Sequence, residues 1–181
     1  TKATSNTFVF EHRLGSRSQY EVALPLSFQQ QEMAGQPWGH GFGDLELALR
    51  RVFYSSTEHK AIFSAGGATT LPTGSVSSGL GGGVNIWEPF AMFGKGLGKN
   101  GFVQTHAGIE LPTNKAKAVN ESFLRTAVGY TLAQDHGYGR AWTPMAELIL
   151  AHPFGEPTEV DVVPQMQITL SKLQHVMMSE I

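Results

Sequence analysis

Val160-Asp161-Val162-Val163-Pro164-Gln165-Met166-Gln167-Ile168-Thr169-Leu170-Ser171 is the stretch on which the fold turns. Val160, Val162, Pro164, Met166, Ile168 and Leu170 occupy one parity, and Asp161, Val163, Gln165, Gln167, Thr169 and Ser171 the other. Successive side chains of a strand point to opposite faces, so this spacing predicts a strand with one oily and one polar side. Its run of about eleven residues matches the length of a tilted strand crossing a bilayer.

The same division recurs upstream. Tyr20, Val22, Leu24, Leu26 and Phe28 alternate with Glu21, Ala23, Pro25, Ser27 and Gln29, and Leu45, Leu47, Leu49 and Phe53 oppose Asp44, Glu46, Ala48 and Arg50. Phe8, Phe10 and Leu14 alternate with Val9, Glu11 and Arg13; Val103, Ala107, Ile109 and Leu111 alternate with Gln104, His106 and Glu110. Leu124, Val128, Tyr130 and Leu132 alternate with Arg125, Ala127 and Gly129, and Trp142, Ala146, Leu148 and Leu150 with Thr143 and Glu147. Segments 60–71 and 84–94 are rich in Gly, Ala and aromatics but alternate poorly, and complete a set of nine expected strands. Turn-like linkers such as Gly15-Ser16-Arg17, Ser55-Ser56-Thr57, Pro112-Thr113-Asn114 and Ala133-Gln134-Asp135-His136-Gly137 separate them, which predicts an antiparallel meander. Gln31 to Gly43 reads as a loop, and Gly79-Leu80-Gly81-Gly82-Gly83 as a mobile loop or tight turn. Leu71-Pro72-Thr73-Gly74 and Leu111-Pro112-Thr113-Asn114 form a small internal repeat at two strand ends. Its bland reading is that proline stops strands wherever it falls, having no N–H for the ladder.

Composition narrows the class. Charged residues make up 15 % of 181, below the roughly 25 % of an ordinary soluble domain, while 41 % are hydrophobic and 21 are glycine. Few charges without an excess of apolar residues suits many short strands separated by small residues. A formal net charge of -2 and the lack of a basic stripe exclude a nucleic-acid partner. With no cysteine the chain has no disulfide framework, Cys-type zinc site or covalent haem. No run approaches the roughly 18 to 20 apolar residues of a membrane helix, a criterion that does not apply to barrels.

A soluble β-sandwich shares the alternation, so other features must separate the two. The polar parity holds Gly, Ala, Ser and Gln with isolated charges, as a crowded, partly wet lumen does. Phe10, Tyr20, Phe28, Phe53, Phe102, Phe123 and Trp142 lie near strand ends, where interfacial girdles are expected. The expected fold is therefore all-β, an antiparallel up-and-down transmembrane β-barrel forming one domain over residues 1–181.

Gly43-Asp44-Leu45-Glu46-Leu47-Ala48-Leu49-Arg50-Arg51, Leu71-Pro72-Thr73-Gly74 and Gly108-Ile109-Glu110-Leu111-Pro112-Thr113 resemble the outer-membrane transporter-like family called MetA-pathway of phenol degradation. The similarity runs from about Phe8 to Leu173. It implies an up-and-down barrel in which Gly-Asp opens a strand and an LPTG-like corner closes its partner. It also implies passage of small, often aromatic or apolar, compounds across the outer membrane, and carries over no ligand-binding residue. Nine strands is an odd number, Ser179-Glu180-Ile181 lacks the terminal aromatic of the family, and 175–181 reads as the opening of another strand. The expectation is a piece, incomplete at one or both ends, of a barrel of about 10 to 12 strands.

No enzyme chemistry emerges. Seven histidines include no pair at i, i+2 or i, i+4, so no metal site or cofactor is expected, and neither a P-loop nor a G-x-S-x-G elbow is present. What remains is the inward parity: Glu21, Asp44, Glu46, Arg50, Gln104, His106, Glu110, Arg125, Glu147, Asp161, Gln165 and Gln167 are the candidate lumen-lining residues. Arg50 and Arg125 are the expected centres of pairing with the surrounding carboxylates, because a charge in a narrow barrel must pair or stay wet. Outer-membrane lipid and a small-molecule solute are the expected partners, with another membrane or periplasmic protein as a further one. The readings are a channel, a barrel that sheaths or anchors a partner such as an electron carrier, and a soluble periplasmic binding module.

Overall fold

The computed structural model describes residues 2–30, 39–135, 140–171 and 174–178. All regular elements among them are strands: β1 (Lys2–Leu14), β2 (Ser18–Gln30), β3 (Gly39–Phe42), β4 (Leu45–Ser56), β5 (Ala61–Leu71) and β6 (Ile86–Leu97), followed by β7 (Gly101–Pro112), β8 (Glu121–Tyr130), β9 (Ala133–Asp135), β10 (Arg140–Pro153), β11 (Glu159–Ser171) and β12 (Gln174–Met178). They belong to one sheet in the order β1-β2-β4-β5-β6-β7-β8-β10-β11-β12, with β3 added to β2 and β9 to β10. Apart from the short β3 and β9, chain neighbours are therefore sheet neighbours, the meander that short connections impose. Two short strands, β3 and β9, were not expected: β3 lies in the segment read as a loop and β9 in a turn-like linker. β12 falls where 175–181 read as the opening of another strand, and 179–181 lie outside the described residues. A closed circuit is absent among the described residues, where β1 pairs only β2 and β12 only β11.

Backbone proximity groups the chain into two units. The first comprises Thr1–Arg51, Ala65–Phe90 and Ile109–Asn120. Here Phe8 is opposite Leu24, Phe10 opposite Val22 and His12 opposite Tyr20, while β4 sets Leu49 beside Tyr20 and Leu47 beside Val22. These residues share one face. The other face carries Glu11 opposite Glu21, Gln19 opposite Arg50 and Ala23 opposite Glu46. On the apolar face Phe8 is 60 % and Phe10 58 % exposed, whereas Ala23 on the polar face is buried.

The second unit comprises Val52–Ser64, Ala91–Gly108 and Glu121–Ile181. Leu148 stands between Thr126 and Val162, and Leu150 between Leu124 and Val160, on an apolar face where Val162 is 69 % exposed. Glu147 between Ala127 and Val163, and Ile149 between Arg125 and Asp161, occupy the opposite face. Not one large side chain among the described residues is fully buried, so hydrophobic burial against a second layer is not what organises this sheet. The buried positions among the described residues are few and mostly small: Ala23, Gly43, Ser64, Ala68, Val84, Pro112, Gly129, Thr143 and Pro153, with Phe123 the one large exception.

Candidate functional site

Three groups of polar side chains gather the residues singled out by the alternation. In the first unit, the Arg50 guanidinium donates to Gln19 Oε1 at 3.0 Å, and Gln19 Nε2 donates to Glu11 Oε2 at 2.8 Å. Glu21 is the register partner of both Glu11 and Ala48, so three carboxylates (Glu11, Glu21, Glu46) share the face that Arg50 occupies. An amide relays the Arg50 charge toward a carboxylate across two strand boundaries.

A second group corrects the reading of Asp44. This residue precedes β4 and projects from a corner, where Oδ1 accepts from Gly74 N–H and Oδ2 from Gly82 N–H, each at 2.8 Å. Its carboxylate binds the 72–85 connection instead of lining a wall. The glycine run is thus anchored at its centre: a Cβ on Gly81 would collide with Asp44 Oδ1 and lie 2.9 Å from Gly74 backbone atoms. Thr73 Oγ1 donates to Gly43 O at 3.0 Å and accepts from Leu45 N–H at 2.9 Å. The second Leu-Pro-Thr behaves alike. Thr113 Oγ1 donates to Asn85 O at 3.1 Å, and Thr113 N–H reaches the same oxygen at 2.9 Å. Each threonine locks the end of one strand onto the carbonyl that precedes its hairpin partner, Gly43 before β4 and Asn85 before β6. The repeat is therefore a repeated lock, a stronger role than stopping a strand. Asp44→Ala removes two charge-assisted bonds at a half-buried corner and is expected to lower stability by about 1 to 2 kcal/mol. Equilibrium unfolding in urea measures the loss, and an unchanged midpoint would show that the corner holds without its carboxylate.

In the second unit, Arg125 stacks its guanidinium over the Phe123 ring at 5.1 Å, and His106 meets the same ring edge-on at 5.0 Å. Phe123 is 6 % exposed. No described carboxylate pairs with Arg125, so the expected ion-pair hub is replaced by a cation–π shelf with the charge left exposed. Phe123 was expected in a girdle, yet it lies on the polar face. Phe102 also departs from the girdle, since it crowds Gly129 of that face. Gln165 Nε2 donates to Glu147 Oε2 at 2.7 Å, and Thr131 and Thr143 share a hydroxyl bond at 3.1 Å.

Neither a protein-family model nor a curated protein matches this chain. Of the remaining candidates, Gln104 lies beside Gly94 of β6, Glu110 follows on the same parity of β7, and Gln167 and Asp161 face the register positions of Thr143 and Ile149. Sequence reasoning missed Gln19 and Phe123 as partners of the two arginines. Gln19 was detectable, being on the parity of Glu21 at the head of β2, whereas an aromatic on a polar face reads as core or girdle.

Proposed function

We propose that this chain is the wall of an outer-membrane β-barrel through which small molecules, aromatic or apolar ones among them, cross. The observation that carries the reading is the arrangement of the two faces within each unit. Large apolar side chains stand exposed on one, while polar side chains bond to one another on the other. A sheet with that distribution gains most where the apolar face meets hydrocarbon and the polar face meets water. A soluble sandwich would instead bury its apolar face against a second sheet. From β1 to β8 the connection lengths fit as well. Short turns at 15–17, 57–60 and 98–100 alternate with the longer 72–85 and 113–120, as periplasmic turns alternate with external loops in such barrels, whereas the 154–158 connection is short where a long one would fall.

The test is folding into detergent followed by electrophoresis with and without boiling, since a closed barrel changes mobility on heating. A chain that stays monodisperse without detergent and shows no heat shift would overturn the reading. Arg125 then distinguishes a conduit from a sheath. In planar bilayers the wild type is expected to conduct, and Arg125→Ala is expected to lower anion preference with little loss of folded protein, because an accessible charge contributes little to stability. Absence of conductance in a folded, heat-modifiable wild type would favour the sheathing role over passage.

A further inference from the structure

A groove of about 740 Å³ opens along β5 in the first unit, lined by Tyr20, Leu47, Leu49, Ala65, Gly67 and Trp87 among others, with Arg51 beside them. Its cause is local. On the parity of β5 that the groove follows stand Ala65, Gly67 and Thr69, between leucines on β4 and Trp87 and Pro89 on β6. Gly67 has room for a side chain, since a Cβ there would meet nothing closer than the Glu88 carbonyl at 3.7 Å. The depression exists because small residues occupy these positions.

Arg51 makes this groove unlike a plain apolar furrow. It lies on the apolar face of β4, in line with Leu47 and Leu49, and is exposed without a described hydrogen-bond or ion-pair partner. Register places it opposite Ser18, the first residue of β2 and the one that follows Arg17 of the 15–17 turn. Two guanidinium-bearing residues therefore stand at the level of a hairpin end. A ring cluster marks the same level: Tyr20 lies 5.6 Å from His12 and 6.0 Å from Phe10. Aromatic side chains and arginines at the end of an apolar face are what a headgroup boundary selects.

From this geometry we infer that the groove holds an acyl chain of an anionic glycerophospholipid whose phosphate is bound by Arg51. The inference rests on the membrane reading above and deepens it. An exposed guanidinium on an apolar face lacks a protein acceptor, and a phosphate diester supplies one with matching charge and fork geometry. The groove provides the hydrocarbon contact that distinguishes a held lipid from a passing one. Because the hairpin end concerned is a short turn, the lipid belongs to the periplasmic leaflet.

Trp87 lines the groove and serves as the reporter. The full chain carrying Trp38→Phe and Trp142→Phe is reconstituted in bilayers containing brominated phosphatidylglycerol or brominated phosphatidylcholine of the same chain length, and quenching of Trp87 is followed. A companion with Trp38→Phe and Trp87→Phe reads Trp142, which is 56 % exposed on the apolar face of the second unit and is not among the residues that line the groove. Phosphatidylglycerol is expected to be about fivefold more effective than phosphatidylcholine at Trp87, the factor for one basic side chain near a charged headgroup, and no more effective at Trp142. Arg51→Gln is expected to make the two lipids equal at Trp87, and raised salt to do the same in the protein that keeps Arg51, which requires no further variant to fold. Equal quenching at Trp87 from the start, or a preference that survives both Arg51→Gln and salt, overturns the lipid site while leaving the membrane reading intact. Quenching of neither tryptophan by either lipid overturns both.

Discussion

Leu148→Arg is expected to weaken insertion of the folded chain by about 2 to 4 kcal/mol, the cost of a guanidinium on the lipid side near the bilayer midplane. Ile149→Arg, the same kind of change one residue along, is expected to cost no more than about 1 kcal/mol. The contrast follows from register. Leu148 stands between Thr126 and Val162 on the apolar face, whereas Ile149 stands between Arg125 and Asp161 on the polar one. At position 149 a new cation would meet one like and one opposite charge, which largely offset. Folding yield into lipid vesicles across a urea series measures both. Equal penalties would mean that the two faces of β10 meet the same medium, and the membrane reading would fail.

Gly66→Ala is expected to destabilise by about 1 to 3 kcal/mol, with the loss in the β4–β5 pairing, because the added methyl has no flexible neighbour to displace. A Cβ there would collide with the Leu49 carbonyl oxygen, and would lie 2.9 Å from the Phe90 ring and 3.0 Å from Arg50 Cα. Gly67→Ala next to it is expected to be neutral or to stabilise by about 0.4 to 1 kcal/mol through the unfolded chain. Urea midpoints of the two variants make the comparison internal, and equal midpoints would show that β5 shifts to relieve the contact at no cost.

Where a strand alternates large apolar with polar side chains, its faces are legible in the sequence. The parities of β2, β4, β8, β10 and β11 follow from period two alone, since a slip of one residue would put Leu148 or Val162 among Glu147 and Gln165. β5 resisted because the small Ala65 and Gly67 give a weak hydrophobic signal on the apolar parity, and β6 because large apolar residues stand on both parities, Trp87 and Phe93 on one and Phe90 and Met92 on the other. β3 was hidden for a related reason, since Gly39-His40-Gly41-Phe42 has too few side chains to declare a face. The polar groups were legible as a set and not as pairs. Alternation placed Arg50, Arg125 and the carboxylates on one parity, but the partner of a long flexible cation depends on which ring or amide comes within reach. Arg125 found Phe123, and Arg50 found Gln19. Asp44 was misplaced because a strand pattern was extended one residue past where the backbone turns.

The paired threonine locks bear on how such a chain changes length. Each closes a hairpin at its own base, β4 with β5 through Thr73 and β6 with β7 through Thr113, so the hairpin carries its own fastening. Gain or loss of one whole hairpin adds or removes two strands at a time, and leaves every remaining residue pointing to the side it pointed to before. The width of the sheet can then vary in steps of two strands, by duplication or excision of a self-fastened module, without rewriting the neighbours.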